Sequence, residues 1–82
     1  MPDISDVDNR VRAVTARLFG LSTEQAQGDL RMGNPPAWDS IGHMELLVAI
    51  ENEFGIRFPG HRIAALVTVE SIALAVRGAG VR

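Results

Sequence analysis

The stretch from residue 40 to residue 54, set between Pro35-Pro36 and Gly55, constrains the fold of this chain most. Proline disfavours a helix at the residue before it, and glycine is the usual residue just past a helix end. We therefore predict a helix over residues 40–54. At about 100° per residue, one apolar stripe gathers the predicted core residues Leu46, Leu47, Ile50 and Phe54.

A second apolar patch lies on the same predicted helix. Its members fall roughly 160–220° from Leu46 and are bordered by polar residues: Ile41, Met44 and Val48, with Glu45 and Asn52 at the border. Such patches often mark partner surfaces. The alternative is that the preceding loop folds over them. We favour a partner surface, which would begin one residue after Ser40.

Helical spacing recurs elsewhere, and no useful strand-like alternation is found. The apolar spacing predicts further helices at about 6–19, 60–66 and 69–77. Their apolar positions are Val7, Val11, Val14 and Leu18 in the first, and Val69, Ile72, Ala73 and Val76 in the last. A long loop separates the first two main helices, and Leu21, Leu30 and Met32 are expected to pin it to the core. The sequence predicts an all-α, four-helix bundle of three main helices and one short helix, in a single domain over 1–82.

Composition excludes several functions. The 82 residues carry a net charge of −2 and no Cys, so disulfides, thiolate metal sites and cysteine nucleophiles are excluded. His43 and His61 lack partners at metal-ligand spacing, so no metal site is expected. Residues 40–54 contain no Lys or Arg to meet phosphates, which argues against nucleic acid. With neither a signal peptide nor an apolar run of about 18 residues, a cytoplasmic location away from membranes is expected.

The Asp39-Ser40 pair at the start of the predicted helix has two interpretations. Either residue can cap the helix. A serine hydroxyl at a helix N-terminus also suits a phosphate ester, because free N–H groups and the helix dipole stabilise the anion. A catalytic serine would need an oriented base and an oxyanion hole. His43 lies only one turn away and no oxyanion nest is evident, so we do not expect an enzyme.

Three segments in register resemble the acyl carrier proteins. "DSIGHMEL" is similar to the family's Asp-Ser-Leu signature, with Ile in place of the usual Leu. "AIENEFGIRFP" resembles the end of the family's second helix and the following turn. "LVTVESIALAV" resembles the start of its last helix. Together they cover residues 39–76, about half the chain.

The resemblance implies a chemistry. Ser40 would carry 4′-phosphopantetheine, transferred from coenzyme A by a separate Mg²⁺-dependent phosphopantetheinyl transferase, and Asp39 would help to position that transferase and the arm. The arm's thiol would hold an acyl group as a thioester, so the chain is a non-catalytic carrier. The predicted patch (Ile41, Met44, Glu45, Val48 and Asn52) would dock an acyl-loading enzyme and a downstream synthase or transferase. We expect a free-standing monomer.

Departures from the usual family pattern indicate which kind of carrier to expect. The second helix is less acidic than in fatty-acid carriers, and Arg57 and Arg62 add positive charge nearby. The "WDSIGHMEL" form is similar to discrete carriers of bacterial natural-product pathways of the polyketide type, some of which hold short oxygenated units such as glyceryl. The alternatives are a peptidyl or aminoacyl carrier of a nonribosomal system, and an arm-less helical adaptor.

Three residues near Ser40 have open roles. Trp38, the only Trp, either plugs the bundle or forms a wall for the arm or substrate. Gly42 is costly inside a helix and would leave room beside the arm. His43 is expected to be a half-buried structural residue, with contact to the cargo as the alternative.

Overall fold

The computed structural model describes residues 4–79, and within them the chain is helical with no strand, which confirms the predicted all-α class. The elements are α1 (Ile4–Phe19), α2 (Thr23–Ala26), α3 (Ser40–Phe54), a 3-10 helix (Gly60–Ala65) and α4 (Val69–Gly78). The second main helix predicted from the sequence is α3. It has the third label because the four-residue α2 lies before it. In the sequence, Asp3, Ser5 and Asp6 are candidate N-caps of the first helix; Asp3 lies outside the described residues, and the other two lie within α1.

One core joins the three main helices. Its largest fully buried apolar members come from every long element and from the loops between them: Val7, Val11, Trp38, Leu46, Leu47, Ile50, Leu66, Val69, Ile72 and Val76. Leu18 was predicted to belong to this core but is exposed, and Phe19 and Leu21 pack against the core at that end of α1 instead. Met32 was also predicted to pin the loop, and its side chain is exposed.

α1 and α3 run antiparallel. Arg10, early in α1, forms an ion pair with Glu53, late in α3, and the guanidinium lies 4.3 Å from the centroid of the Phe54 ring. At the other end, Phe19 lies beside Gly42 in the first turn of α3. The last turn of α1 therefore borders the start of α3, where Ser40 lies.

The long loop between α1 and α3 is held at several points. α2 begins with a capping box in which Ser22 accepts from the Gln25 amide and Gln25 accepts from the Ser22 amide. Further on, the Val69 amide donates to the Leu30 carbonyl and the Met32 amide donates to the Val67 carbonyl. These bonds tie the loop to the start of α4, so the segment leading into Ser40 is anchored to the bundle.

Arg12 makes several further contacts that hold this loop. Its Nε donates to Asp8 over 2.8 Å, and its Nη1 donates to the carbonyls of Ala26 at 2.9 Å and Gly28 at 2.6 Å. Its Nη2 reaches Glu70 in α4 over 3.1 Å. One half-buried guanidinium therefore links α1, the loop after α2 and α4.

Candidate functional site

Ser40 is the first residue of α3, and it is exposed. Its hydroxyl makes no hydrogen bond to any other residue of the described range 4–79. The hydroxyls of Ser22 and Ser71 are both committed to capping boxes. Ser40 is therefore an accessible serine at a helix N-terminus, where N–H groups and the helix dipole favour a phosphate ester.

Asp39 is the N-cap of α3. Its backbone is extended (φ −105, ψ −167), and its Oδ1 accepts from the Gly42 amide over 2.8 Å. Its carbonyl also accepts from the His43 amide at 2.7 Å. The two interpretations of the Asp39-Ser40 pair thus separate: Asp39 caps the helix, and the Ser40 hydroxyl is left available.

Gly42 lies against the segment that leads into Ser40. A Cβ at this position would collide with the Ala37 carbonyl and would stand only 3.1 Å from Cε1 of Phe19. The absence of a side chain therefore lets α3 approach the backbone of residues 37–39. The sequence suggested that Gly42 leaves room beside the arm, but the structure shows that this space is filled by the protein itself.

Trp38 and His43 form a buried polar pair next to the site. The Trp38 Nε1–H donates to His43 Nδ1 over 3.0 Å, and the two rings lie 17° from parallel. An indole nitrogen is only a donor, so Nδ1 accepts and the proton of the neutral imidazole is on Nε2. That nitrogen lies 2.9 Å from the Ile63 carbonyl. His43 thus joins the loop before Ser40 to the 3-10 helix.

Trp38 and His43 both lie inside the bundle and contact other parts of the protein. Trp38 is completely buried, and Phe19 also stacks against it at a centroid distance of 6.1 Å. The structure therefore favours Trp38 as a plug of the bundle. His43 is more deeply buried than the half-buried position expected from the sequence, with both ring nitrogens in hydrogen bonds.

The second apolar patch of α3 is uncovered. Ile41 is 75% exposed, Met44 48% and Val48 51%. Glu45 and Asn52, at the border, are also exposed. The loop between α1 and α3 leaves these side chains accessible, and they account for three of the six exposed large hydrophobic residues in the described part of the chain.

The carboxylates of α3 are mostly engaged within the protein. Glu53 forms ion pairs with Arg10 and Arg17. The Oε2 of Glu51 accepts from the Phe58 amide over 2.8 Å, which fixes the turn after α3. Of the three α3 carboxylates, only Glu45 makes no ion pair or hydrogen bond through its side chain within residues 4–79. The patch is therefore apolar, with one carboxylate at its border.

No group of three or more His, Asp or Glu side chains between residues 4 and 79 is placed to hold a metal ion. In that same range, no helix combines the length and the apolar character needed to cross a bilayer.

Comparison with known families gives one match that bears on the site. Residues 38–76 match the family model described as "Phosphopantetheine attachment site". The matched segment begins at Trp38, includes Asp39 and Ser40, and ends in α4. Domains of this family are sites of covalent 4′-phosphopantetheine attachment. The match supports a carrier protein whose cofactor is 4′-phosphopantetheine.

Proposed function

We propose that this chain is a single acyl carrier domain that holds an acyl intermediate as a thioester on a 4′-phosphopantetheine arm attached to Ser40. The observation that carries the proposal is the accessible Ser40 hydroxyl at the N-terminus of α3, inside the matched segment. The arm, when attached, supplies the thiol that a chain without Cys lacks.

The residues around Ser40 have positioning roles in this proposal. A phosphopantetheinyl transferase provides the catalysis, so Ser40 needs no base from its own chain. Asp39 holds the first turn of α3 through its bond to the Gly42 amide, and its exposed carboxylate borders the serine. The Trp38–His43 pair and the close contact at Gly42 fix the backbone that presents the hydroxyl.

The α3 patch is the proposed docking surface. Ile41, Met44 and Val48 are exposed on the helix that begins at the attachment serine. A transferase, a loading enzyme or a downstream synthase must reach Ser40, so a surface that extends from it is well placed to dock them. Because Glu51 and Glu53 are engaged internally, docking is expected to depend on apolar burial more than on attraction to a basic partner.

We place this carrier in the cytoplasm, in a bacterial pathway of the polyketide type, with a short oxygenated acyl unit such as glyceryl as the cargo. The low free charge of the patch supports a specialised set of partners over those of generic fatty-acid synthesis. The alternative is a peptidyl or aminoacyl carrier, which would use the same serine and arm.

The experiment that tests the function is a loading assay on the arm-bearing chain. The chain would be offered acyl-loading enzymes with acyl donors, and adenylating enzymes with amino acids. An acyl mass that hydroxylamine releases, as expected of a thioester, supports the acyl carrier. Loading by amino acids alone would transfer the assignment to the nonribosomal alternative.

A further inference from the structure

A second surface lies outside the α3 patch. It is an open groove of about 360 Å³ between α4 and the segment that runs from the turn after α3 into the 3-10 helix. Its apolar lining includes Phe58, Leu66, Leu74 and Ala75, and its rim carries Arg57 and Arg62. None of the lining residues of the groove belongs to α3, so the groove shares no residue with Ser40 or with the α3 patch.

Leu74 is the unusual apolar residue of this groove. It is 64% exposed, more than any other large hydrophobic residue of the described chain except Ile41. The residues beneath it are part of the core or packed against it, since Phe58 and Leu66 are buried and Ala75 is half-buried. The groove therefore has an apolar floor and one exposed apolar side chain at its wall.

The charge around the groove is unbalanced. Arg10, Arg12, Arg17 and Arg31 all form ion pairs with carboxylates. Arg57 and Arg62, which line the groove, make no ion pair or side-chain hydrogen bond within residues 4–79, and neither does Arg77 of α4. Residues 54–79 contain three arginines and a single carboxylate, Glu70, which is paired with Arg12.

We infer that this groove docks an acidic amphipathic segment of a partner protein, through a site separate from the α3 patch. Carboxylates of the segment would meet Arg57 and Arg62, and an apolar side chain would cover Leu74 and the floor beneath it. The charge complementarity identifies the occupant: a chain with a net charge of −2 keeps unpaired cations at this place, where an acidic segment is attracted and a basic one is repelled. This inference does not depend on the arm at Ser40.

The test is a titration of the isotope-labelled full chain, without the arm, in which the amide NMR signals of the chain are monitored. The probe is a synthetic amphipathic peptide with Leu at its apolar positions and Glu at its polar positions. The matched peptide has Lys in place of every Glu. The Glu peptide is expected to shift the amides of residues 57–66 and 74–79, and the Lys peptide is expected to leave them unchanged.

Substitutions inside and outside the groove test whether binding of the Glu peptide depends on the groove residues. Leu74→Ser is expected to weaken binding roughly tenfold, because it removes the exposed apolar side chain that the segment would cover. The double variant Arg57→Gln/Arg62→Gln is expected to weaken it severalfold, as the loss of two exposed charge pairs predicts. Leu18→Ser and Arg31→Gln are the matched controls, at an exposed Leu and an exposed Arg outside the groove, and are expected to bind normally.

Several outcomes would overturn the inference. They are equal binding of the Glu and Lys peptides, shifts confined to the α3 patch, and unchanged affinity in both groove variants. Groove shifts caused by decanoate while the Glu peptide causes none would instead indicate a small amphiphile. Groove shifts that follow protein concentration alone would indicate a second copy of the chain. Because every titration uses a chain without the cofactor, a negative result would leave the proposed carrier function unaffected.

Discussion

The Trp38 Nε1–H donates to His43 Nδ1 over 3.0 Å inside the bundle, and the other nitrogen of His43 lies 2.9 Å from the Ile63 carbonyl. This chain of contacts joins the loop before Ser40, the first turn of α3 and the 3-10 helix. Ser40 is therefore held by a backbone whose position depends on buried polar contacts as well as on apolar packing.

His43→Phe should destabilise the fold by about 1–3 kcal/mol, because it leaves the buried Trp38 N–H and the Ile63 carbonyl without their partner. Urea unfolding would measure the change, and His61→Phe, at an exposed position, is the matched control. A double-mutant cycle with Trp38→Phe should give a coupling above about 0.5 kcal/mol. Additive effects of the two substitutions would contradict the pairing.

Gly42→Ala should destabilise the protein, although alanine is favoured over glycine in a helix by about 1 kcal/mol. The new Cβ collides with the Ala37 carbonyl, so residues 37–39 must shift. The same shift should slow modification of Ser40 by a transferase. Gly78→Ala is the control, since a Cβ there meets nothing within 4 Å, and it should be neutral or stabilising. A stabilised Gly42→Ala protein would disprove the close contact.

Arg12→Lys should cost about 1–3 kcal/mol, because a single ammonium cannot replace the guanidinium bonds to Ala26, Gly28 and Glu70 together. Hydrogen exchange should also become faster at the Val69 amide, which donates to the Leu30 carbonyl in the anchored loop. Arg31→Lys changes only one exposed ion pair and should stay within about 0.5 kcal/mol of the parent. Equal effects of the two substitutions would refute the anchoring role.

Val48→Asp should lower kcat/KM for modification by a transferase while leaving the melting temperature nearly unchanged, because Val48 is 51% exposed on the proposed docking surface. Leu18→Asp, on α1, should leave kcat/KM at the parent value. Raising the salt concentration should reduce kcat/KM only weakly, about threefold or less, since screening acts on exposed charges and two α3 carboxylates are engaged internally. A steep salt dependence would show that docking is mainly electrostatic.

The sequence predicted the parts of the fold that depend on local pattern. The apolar stripe of α3, its second patch and the buried positions of α4 all follow from spacing and from residue type. α2 was missed, although Ser22 and Gln25 have the spacing of a capping box and could have signalled it. Leu18 shares the face of the α1 stripe, but periodicity identifies a face and does not show how far the core extends along it.

The contacts that position Ser40 could not be predicted in the same way. The pairing of Trp38 with His43, the approach of Ala37 to Gly42 and the reach of Arg12 to Glu70 all depend on how distant segments pack. The sequence left the Asp39-Ser40 pair open between a cap and an attachment site. The structure separates the two residues because only the Asp39 side chain reaches the Gly42 amide.

The most direct measurement is the mass of the chain before and after incubation with coenzyme A, Mg²⁺ and a broad-specificity phosphopantetheinyl transferase, followed by peptide mapping. We expect a mass gain of one phosphopantetheine, located on the peptide that contains Ser40. The gain should be absent from Ser40→Ala and retained in Ser22→Ala. A folded chain that gains no mass, or a Ser40→Ala chain that is still modified, would contradict the assignment of Ser40 as the attachment site.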